Sequence, residues 1–257
     1  MNTPKQGDNV RALERSVKIL ETFSFSTPEL SLTEICEATN LPKSTTFRLL
    51  ETLGNLQLLV QDRKTGLWHL GHKLMQIGAV AQEYNPISTV AEAEMESLAA
   101  LTKQTCNLYV LQGFERVCVA QKEGRIYIER YSQLGMSYPI YCGCGKLFLA
   151  YASDSFRDSF FNEVELVQYT GKTITDKDAL IKRCNEIREE GWVYSSGEHA
   201  AMTSSVAVPL FDYTEKLAGI LAISGASQFF TVESVESFKK ELLAAASRIS
   251  KELGYVH

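Results

Sequence analysis

Ser31 to Leu53 reads SLTEICEATNLPKSTTFRLLETL, and this stretch decides the fold of the first part of the chain. Ser31-Leu-Thr-Glu34 is S-x-x-E, a capping box in which the Ser and Glu side chains satisfy orphan N–H groups at a helix start. The helix it opens is predicted to turn Leu32, Ile35 and Cys36 inward and to stop at Thr39-Asn40, where Asn can take the left-handed conformation of a sharp turn. Leu41-Pro42 then starts a second helix. On it Phe47, Leu50, Leu53 and Gly54 are expected to pack inward, while Thr45, Arg48, Thr52 and Asn55 recur on a polar stripe. Two short helices joined by a tight turn form a helix-turn-helix, whose second helix is presented to the DNA major groove. The stripe has suitable chemistry. Arg can bind guanine with two hydrogen bonds, Asn can bind adenine, a Thr methyl can meet thymine, and Lys43, Ser44 and the helix N-terminus can hold phosphate. Taken alone, the stripe also fits an ordinary solvated helix face.

Upstream, Val10 to Phe25 places Leu13, Val17 and Leu20 on one face of an amphipathic helix, with Arg11, Arg15 and Lys18 among the other positions. Downstream, Leu58-Leu-Val60 and Leu67-Trp-His-Leu70 flank Asp62-Arg-Lys-Thr-Gly66, a hairpin turn containing Gly. This reads as a wing with Arg63 and Lys64 at its tip, placed to touch backbone or minor groove. Gly71 to Tyr84 is a further helix, with Leu74, Ile77, Gly78 and Ala81 on a small-residue apolar face that needs a partner.

The whole chain of 257 residues has a formal charge of -5, which by itself argues against a nucleic-acid partner. The average conceals a division. Residues 1–86 carry nine basic and nine acidic side chains, and residues 87–257 carry 17 and 22. Apolar residues make up 45%, which excludes disordered and fibrous classes. No apolar run suits a membrane span or a signal peptide, so a cytoplasmic location is expected.

From residue 87 onward the pattern is helix then strands, the order of an α+β sheet domain. The expected helices cover 87–102, a segment from Cys142-Gly-Cys-Gly-Lys146 through Tyr151, 176–190 closed by Gly191, and 232–253. The expected strands cover 106–111, 117–121, 126–131, 138–141, 192–195, 205–210 and 217–224. The Gly143-Cys144-Gly145 turn leads into a helix whose N-terminus could hold a carboxylate, or it is simply a glycine-rich turn. Six cysteines read as reduced thiols, and the CxC at Cys142 and Cys144 is a weak metal signal without further ligands at zinc spacing. A thiol redox sensor built on Cys142 and Cys144 is the alternative, since a thiol near a helix N-terminus can have a lowered pKa. An enzyme is the lesser rival: no G-x-S-x-G, H-E-x-x-H or P-loop is present, and His199 beside Glu198 is the one arrangement resembling a general base.

The succession of helices, the K-S-T-x-x-R-L-L-x-T-L core at Lys43–Leu53 and the wing ending L-W-H-L-G resemble the DNA-binding half of the isocitrate-lyase-regulator (IclR) family of bacterial transcription factors. The second half is similar to the same family at Gly145–Ala150, Gly191–Val193, Glu198, Val206–Pro209, Ala222–Gly225 and Ile249–Gly254. The resemblance implies an α+β chain in which a winged helix-turn-helix is joined by a linker helix to a GAF-like α/β effector-binding domain. The corresponding boundaries are 1–9 tail, 10–71, 72–86 and 87–257. It implies operator DNA as partner, contacts from Ser44, Thr45, Thr46 and Arg48, and a homodimer or tetramer with the linker helix packed partly on a sister subunit; the missing catalytic and metal-ligand motifs separately predict no enzymatic turnover and no metal or cofactor. It also implies a pocket for a small organic effector. Where the family has an acid, a Cys and two Ser, this chain has Ser195, Ser205, Ala222 and Ser224, and Met202 stands where Gly is usual. Fewer acidic groups and three hydroxyls suit a small carboxylate or a sugar-derived acid. Repression is the favoured direction of control.

Overall fold

A computed structural model describes residues 10–83, 86–125 and 132–256. The expected tail at 1–9 and the expected strand at 126–131 lie outside the described residues. The chain forms two compact units, Met1–Tyr84 and Asn85–His257.

In the first unit, helices α1 (Arg11–Leu20), α2 (Leu32–Thr39) and α3 (Lys43–Asn55) surround a core of Ile19, Phe23, Ile35, Leu50, Leu53, Leu59 and Trp68. The capping box forms as read. Glu34 N–H donates to Ser31 Oγ at 3.3 Å, and Ser31 N–H donates to Glu34 Oε2 at 2.7 Å. Asn40 ends α2 at φ 55°, which turns the chain into α3 within three residues. The short strands β1 (Glu29–Leu30), β2 (Leu59–Gln61) and β3 (Trp68–Leu70) form an antiparallel sheet in the order β1-β3-β2, and α4 (His72–Glu83) follows.

Two expectations about facing are corrected. Leu13 and Val17 are 66% and 50% exposed, because α1 packs through Ile19 and leaves its 13/17 edge outward. Phe47 is 46% exposed, because the inward edge of α3 is set by Thr46, Leu50 and Leu53, and residue 47 falls a quarter-turn or more to one side.

Among the described residues, the second unit is built on a six-stranded antiparallel sheet ordered β6-β5-β4-β9-β8-β7. Its strands are β4 (Thr105–Gln112), β5 (Glu115–Lys122), β6 (Ser137–Pro139), β7 (Val193–Ser196), β8 (Thr203–Phe211) and β9 (Leu217–Ala226). Alternation along β8 and β9 sends Val206, Val208, Leu221 and Ile223 to one face, under α5 (Pro86–Thr102) and α9 (Val232–Glu252). Ala207, Ile220 and Ala222 face the opposite layer of α6 (Lys146–Tyr151), α7 (Asp154–Glu163) and α8 (Lys177–Glu190). The helix α7 was not anticipated, although Ser153 caps it by accepting the Phe156 N–H at 3.3 Å. No helix among the described residues is long and apolar enough to cross a membrane.

Candidate functional sites: an exposed helix face and a row of serines

In the first unit, the outward face of α3 carries Lys43, Ser44, Arg48, Glu51, Thr52 and Asn55, all exposed. Its N-cap is Pro42, which offers no side-chain acceptor, so the first N–H groups of the helix remain open to a phosphate. Thr45 is half-buried at the edge of this face. Thr46, expected to contact DNA, is instead fully buried, with its hydroxyl donating to Pro42 O at 3.2 Å. It supports the helix start from within.

The wing tip is held by an Asp turn. Asp62 Oδ1 accepts the Lys64 N–H at 2.6 Å and the Thr65 N–H at 3.1 Å, and those amide donors, Lys64 first, hold the carboxyl below its usual range. Gly66 closes the turn at φ 74°. Arg63 and Lys64 are thereby exposed at the tip.

In the second unit, strand register aligns Ser195 on β7 with Ser205 on β8, Ser205 with Ser224 on β9, and Ser224 with Thr105 on β4. Directly paired residues share a face. The three predicted serines therefore form one row, on the face that also carries Val193, Ala207 and Ala222 and meets the turn Gly143–Gly145. All three are at least nine-tenths buried. Ser224 Oγ accepts the Asn107 side-chain amide at 2.5 Å, and Gln121 donates to Asn107 Oδ1 at 2.8 Å. Ser195 and Ser205 make no side-chain hydrogen bond among the described residues, and their hydroxyls are not sealed inside the fold.

The glycine turn is organised differently from the expectation. Gly143 N–H donates to Glu198 Oε2 at 3.0 Å, and the buried Lys146 ammonium binds the same carboxylate. The anion position expected to hold a ligand is filled by the chain's own acid. Arg116 lies in β5 almost fully buried. Its Nη1 donates to Pro139 O at 2.8 Å and Cys142 O at 2.7 Å, and its guanidinium sits 5.3 and 5.1 Å from the Tyr109 and Tyr138 ring centres. A side chain at Gly145 would place its Cβ 2.5 Å from Arg116 Nη1, so the glycine there makes room for this cation. Sequence reasoning missed Asn107, Arg116 and Gln121, because isolated polar residues in strands carry no motif.

Glu198 is also unavailable to assist His199 as a base. His199 instead lies among aromatic rings, 4.6 Å from that of Tyr169 and 5.7 Å from that of Tyr138. Cys142 and Cys144 are buried, and burial pushes the Cys142 thiol up to about 11 and raises Cys144 as well. The redox alternative needed lowered values, so this environment removes its basis: desolvation outweighs the nearby Arg116 charge.

The chain matches the IclR helix-turn-helix domain over residues 12–63 and the bacterial transcriptional regulator IclR C-terminal domain over residues 80–251. It is 29% identical to the HTH-type transcriptional repressor AllR of Escherichia coli strain K12, covering 98% of this chain and 93% of that protein. An IclR transcriptional regulator from Alicyclobacillus acidocaldarius superposes with a TM-score of 0.85 at 27% identity, covering 96% of this chain and all of the other. An IclR homologue from Microbacterium hydrocarbonoxydans, crystallised with 4-hydroxybenzoate, shares the fold with a TM-score of 0.79 at 23% identity, covering 95% of this chain and 99% of that one.

Proposed function

The chain belongs to the IclR family of bacterial DNA-binding transcriptional regulators, and on that premise we propose that it is a repressor whose operator binding is set by a small organic acid or sugar-derived effector. The observation that carries the effector reading is the row of Ser195, Ser205 and Ser224. Two of its members, Ser195 and Ser205, make no side-chain hydrogen bond among the described residues and keep their hydroxyls reachable, which suits a ligand that brings several hydrogen-bonding oxygens. Cys142, Gly143, Cys144 and Gly145 form the wall facing that row. With Glu198 on the Gly143 N–H, the ligand's oxygens are assigned to the serines and its ring or chain to the wall. Repression is supported by the AllR likeness, and a carboxylic acid as effector is in keeping with the 4-hydroxybenzoate complex of the Microbacterium homologue.

Operator binding is assigned to Lys43, Ser44, Thr45 and Arg48 on α3, with Arg63 and Lys64 of the wing on the backbone. In this reading residues 10–71 bind DNA, 72–86 link and 87–257 receive the effector. Exposed Met75, Ile77 and Val80 on α4, together with Leu13 and Val17 on α1, supply apolar surface for a sister subunit. The effector binds one of two arrangements of its domain better, and the subunit contacts convert that preference into a changed spacing of reading helices.

Calorimetry of the full chain with a panel of hydroxy, keto and sugar acids tests the effector reading. Binding of at least one acid, weakened about tenfold or more by Ser205→Ala through loss of a buried hydrogen bond, is the expected result. Silence across the panel, or affinity indifferent to Ser205→Ala and Ser195→Ala, would remove it.

A further inference from the structure

Phe47 is the one large apolar side chain of α3 that the core of the first unit does not take in. Leu50 and Leu53 are buried and Leu49 packs half-buried against them, whereas Phe47 is 46% exposed. A helical side chain leans toward the N-terminus of its helix, so the Phe47 ring lies over the turn carrying Lys43 and Ser44. In a reading helix, that turn comes nearest to the base edges. The next residue, Arg48, is exposed beside it. The major-groove edges present hydrogen-bond donors and acceptors, and their one projecting apolar group is the C5 methyl of thymine. A phenyl ring carried into the groove therefore has one apolar partner among the base edges, and gains no hydrogen bond from phosphate.

We propose that Phe47 is a specificity-determining residue that selects a T·A pair in each half-site by packing its ring against the thymine methyl. The proposal rests on α3 being the reading helix. It adds an apolar contact to the polar ones assigned to Ser44 and Arg48. It also accounts for an aromatic side chain left in water on the outer half of a helix whose other large apolar residues are used inside.

Selection of bound sequences from a random duplex pool, with the full wild-type chain, Phe47→Ala and Phe47→Leu, provides the test. The wild type is expected to enrich a T·A pair in each half-site that Phe47→Ala leaves degenerate and Phe47→Leu retains. On the enriched duplex, replacing that thymine by deoxyuridine removes only the methyl group. The wild-type Kd should then rise about tenfold, while that of Phe47→Ala should not respond. The deoxyuridine comparison uses the unaltered protein, so it holds even if a variant folds poorly. An unchanged consensus for Phe47→Ala, or a wild type indifferent to the methyl, would overturn the proposal. So would equal loss on enriched and random duplexes, which would make the ring a packing or subunit contact. Failure of the wild type to enrich any consensus would overturn the α3 reading with it; enrichment of a consensus without thymine would overturn the Phe47 proposal alone.

Discussion

Glu198 lies 55 residues from Gly143 in the chain, yet its carboxylate accepts the Gly143 N–H at 3.0 Å and binds the Lys146 ammonium from the same side. Thr173 donates its hydroxyl to the Glu198 carbonyl at 2.6 Å, and Thr170 donates to Gly197 O at 2.6 Å, so the loop after β7 is fastened to the segment between α7 and α8 as well as to the turn before α6. A local sequence feature that resembles a ligand site is thus completed from within. In the serine row, by contrast, Ser195 and Ser205 make no side-chain hydrogen bond among the described residues, while Ser224 accepts from Asn107.

Removing Glu198 leaves the fully buried Lys146 without its counter-charge. Glu198→Ala is expected to lower the unfolding free energy by about 3–5 kcal/mol, since a lone buried charge costs more than the pair gains. Adding Lys146→Met should recover a large part of that loss. Urea denaturation of the two variants and the double variant measures the coupling; additive losses would show that the two groups do not depend on each other.

Gly71 is fixed by close approach of backbone rather than by its φ angle. A Cβ there would stand 2.2 Å from Gln57 O, beside the hydrogen bond that Gly71 N–H makes to Leu58 O at 2.8 Å. Gly71→Ala is expected to cost about 1–3 kcal/mol by overpacking and to loosen the start of β2. Weakened DNA binding with an unaltered effector titration is the expected pattern. An unchanged melting curve would show that the backbone can yield there.

The first unit was legible because its signals are local. A capping box, an Asn turn, a Pro start and a Gly-containing hairpin each act within four or five residues, and each forms where it was read. What failed was the assignment of helix faces: Ile19 and not Leu13 or Val17 meets the core, and Phe47 is turned out, because facing is decided by which neighbours a helix packs on. In the second unit the serine row could be named from the resemblance, and strand pairing brings it together. The closing of the Gly143 turn by Glu198, and the seat of Arg116 against Gly145, join residues far apart in sequence and left no periodic trace.

Burial first, and the Arg116 charge second, hold the His199 imidazole below its usual range near 6.5. In the unfolded chain the imidazole takes up a proton as pH falls through about 6.5, whereas in the folded chain it resists until a lower pH. The unfolded state therefore binds more protons in that window, and stability present above pH 6.5 is lost as pH falls toward the depressed folded value. Thermal melts between pH 7.5 and about 5 should fall less steeply for His199→Gln than for the wild type. Parallel curves would mean that His199 titrates as it does in the unfolded chain.

Arg48 and the wing pair Arg63 and Lys64 are all exposed cations in the first unit, and their settings suit them to different work. Arg48 projects from the middle of the outward face of α3, where a planar guanidinium can hold a guanine edge with two hydrogen bonds. Arg63 and Lys64 ride on a turn fixed by Asp62, beyond the end of a two-stranded ribbon, where they can meet phosphate as charges. Arg48→Ala is expected to reduce affinity for a selected duplex by about 1–3 kcal/mol while changing random-duplex affinity far less. Arg63→Ala and Lys64→Ala should weaken both alike, and each should lower the slope of log K against log salt by about one. Fluorescence anisotropy with selected and random duplexes across a salt series separates the two patterns. Equal loss on both duplexes for Arg48→Ala would move base reading away from the centre of α3, toward its edges or the wing.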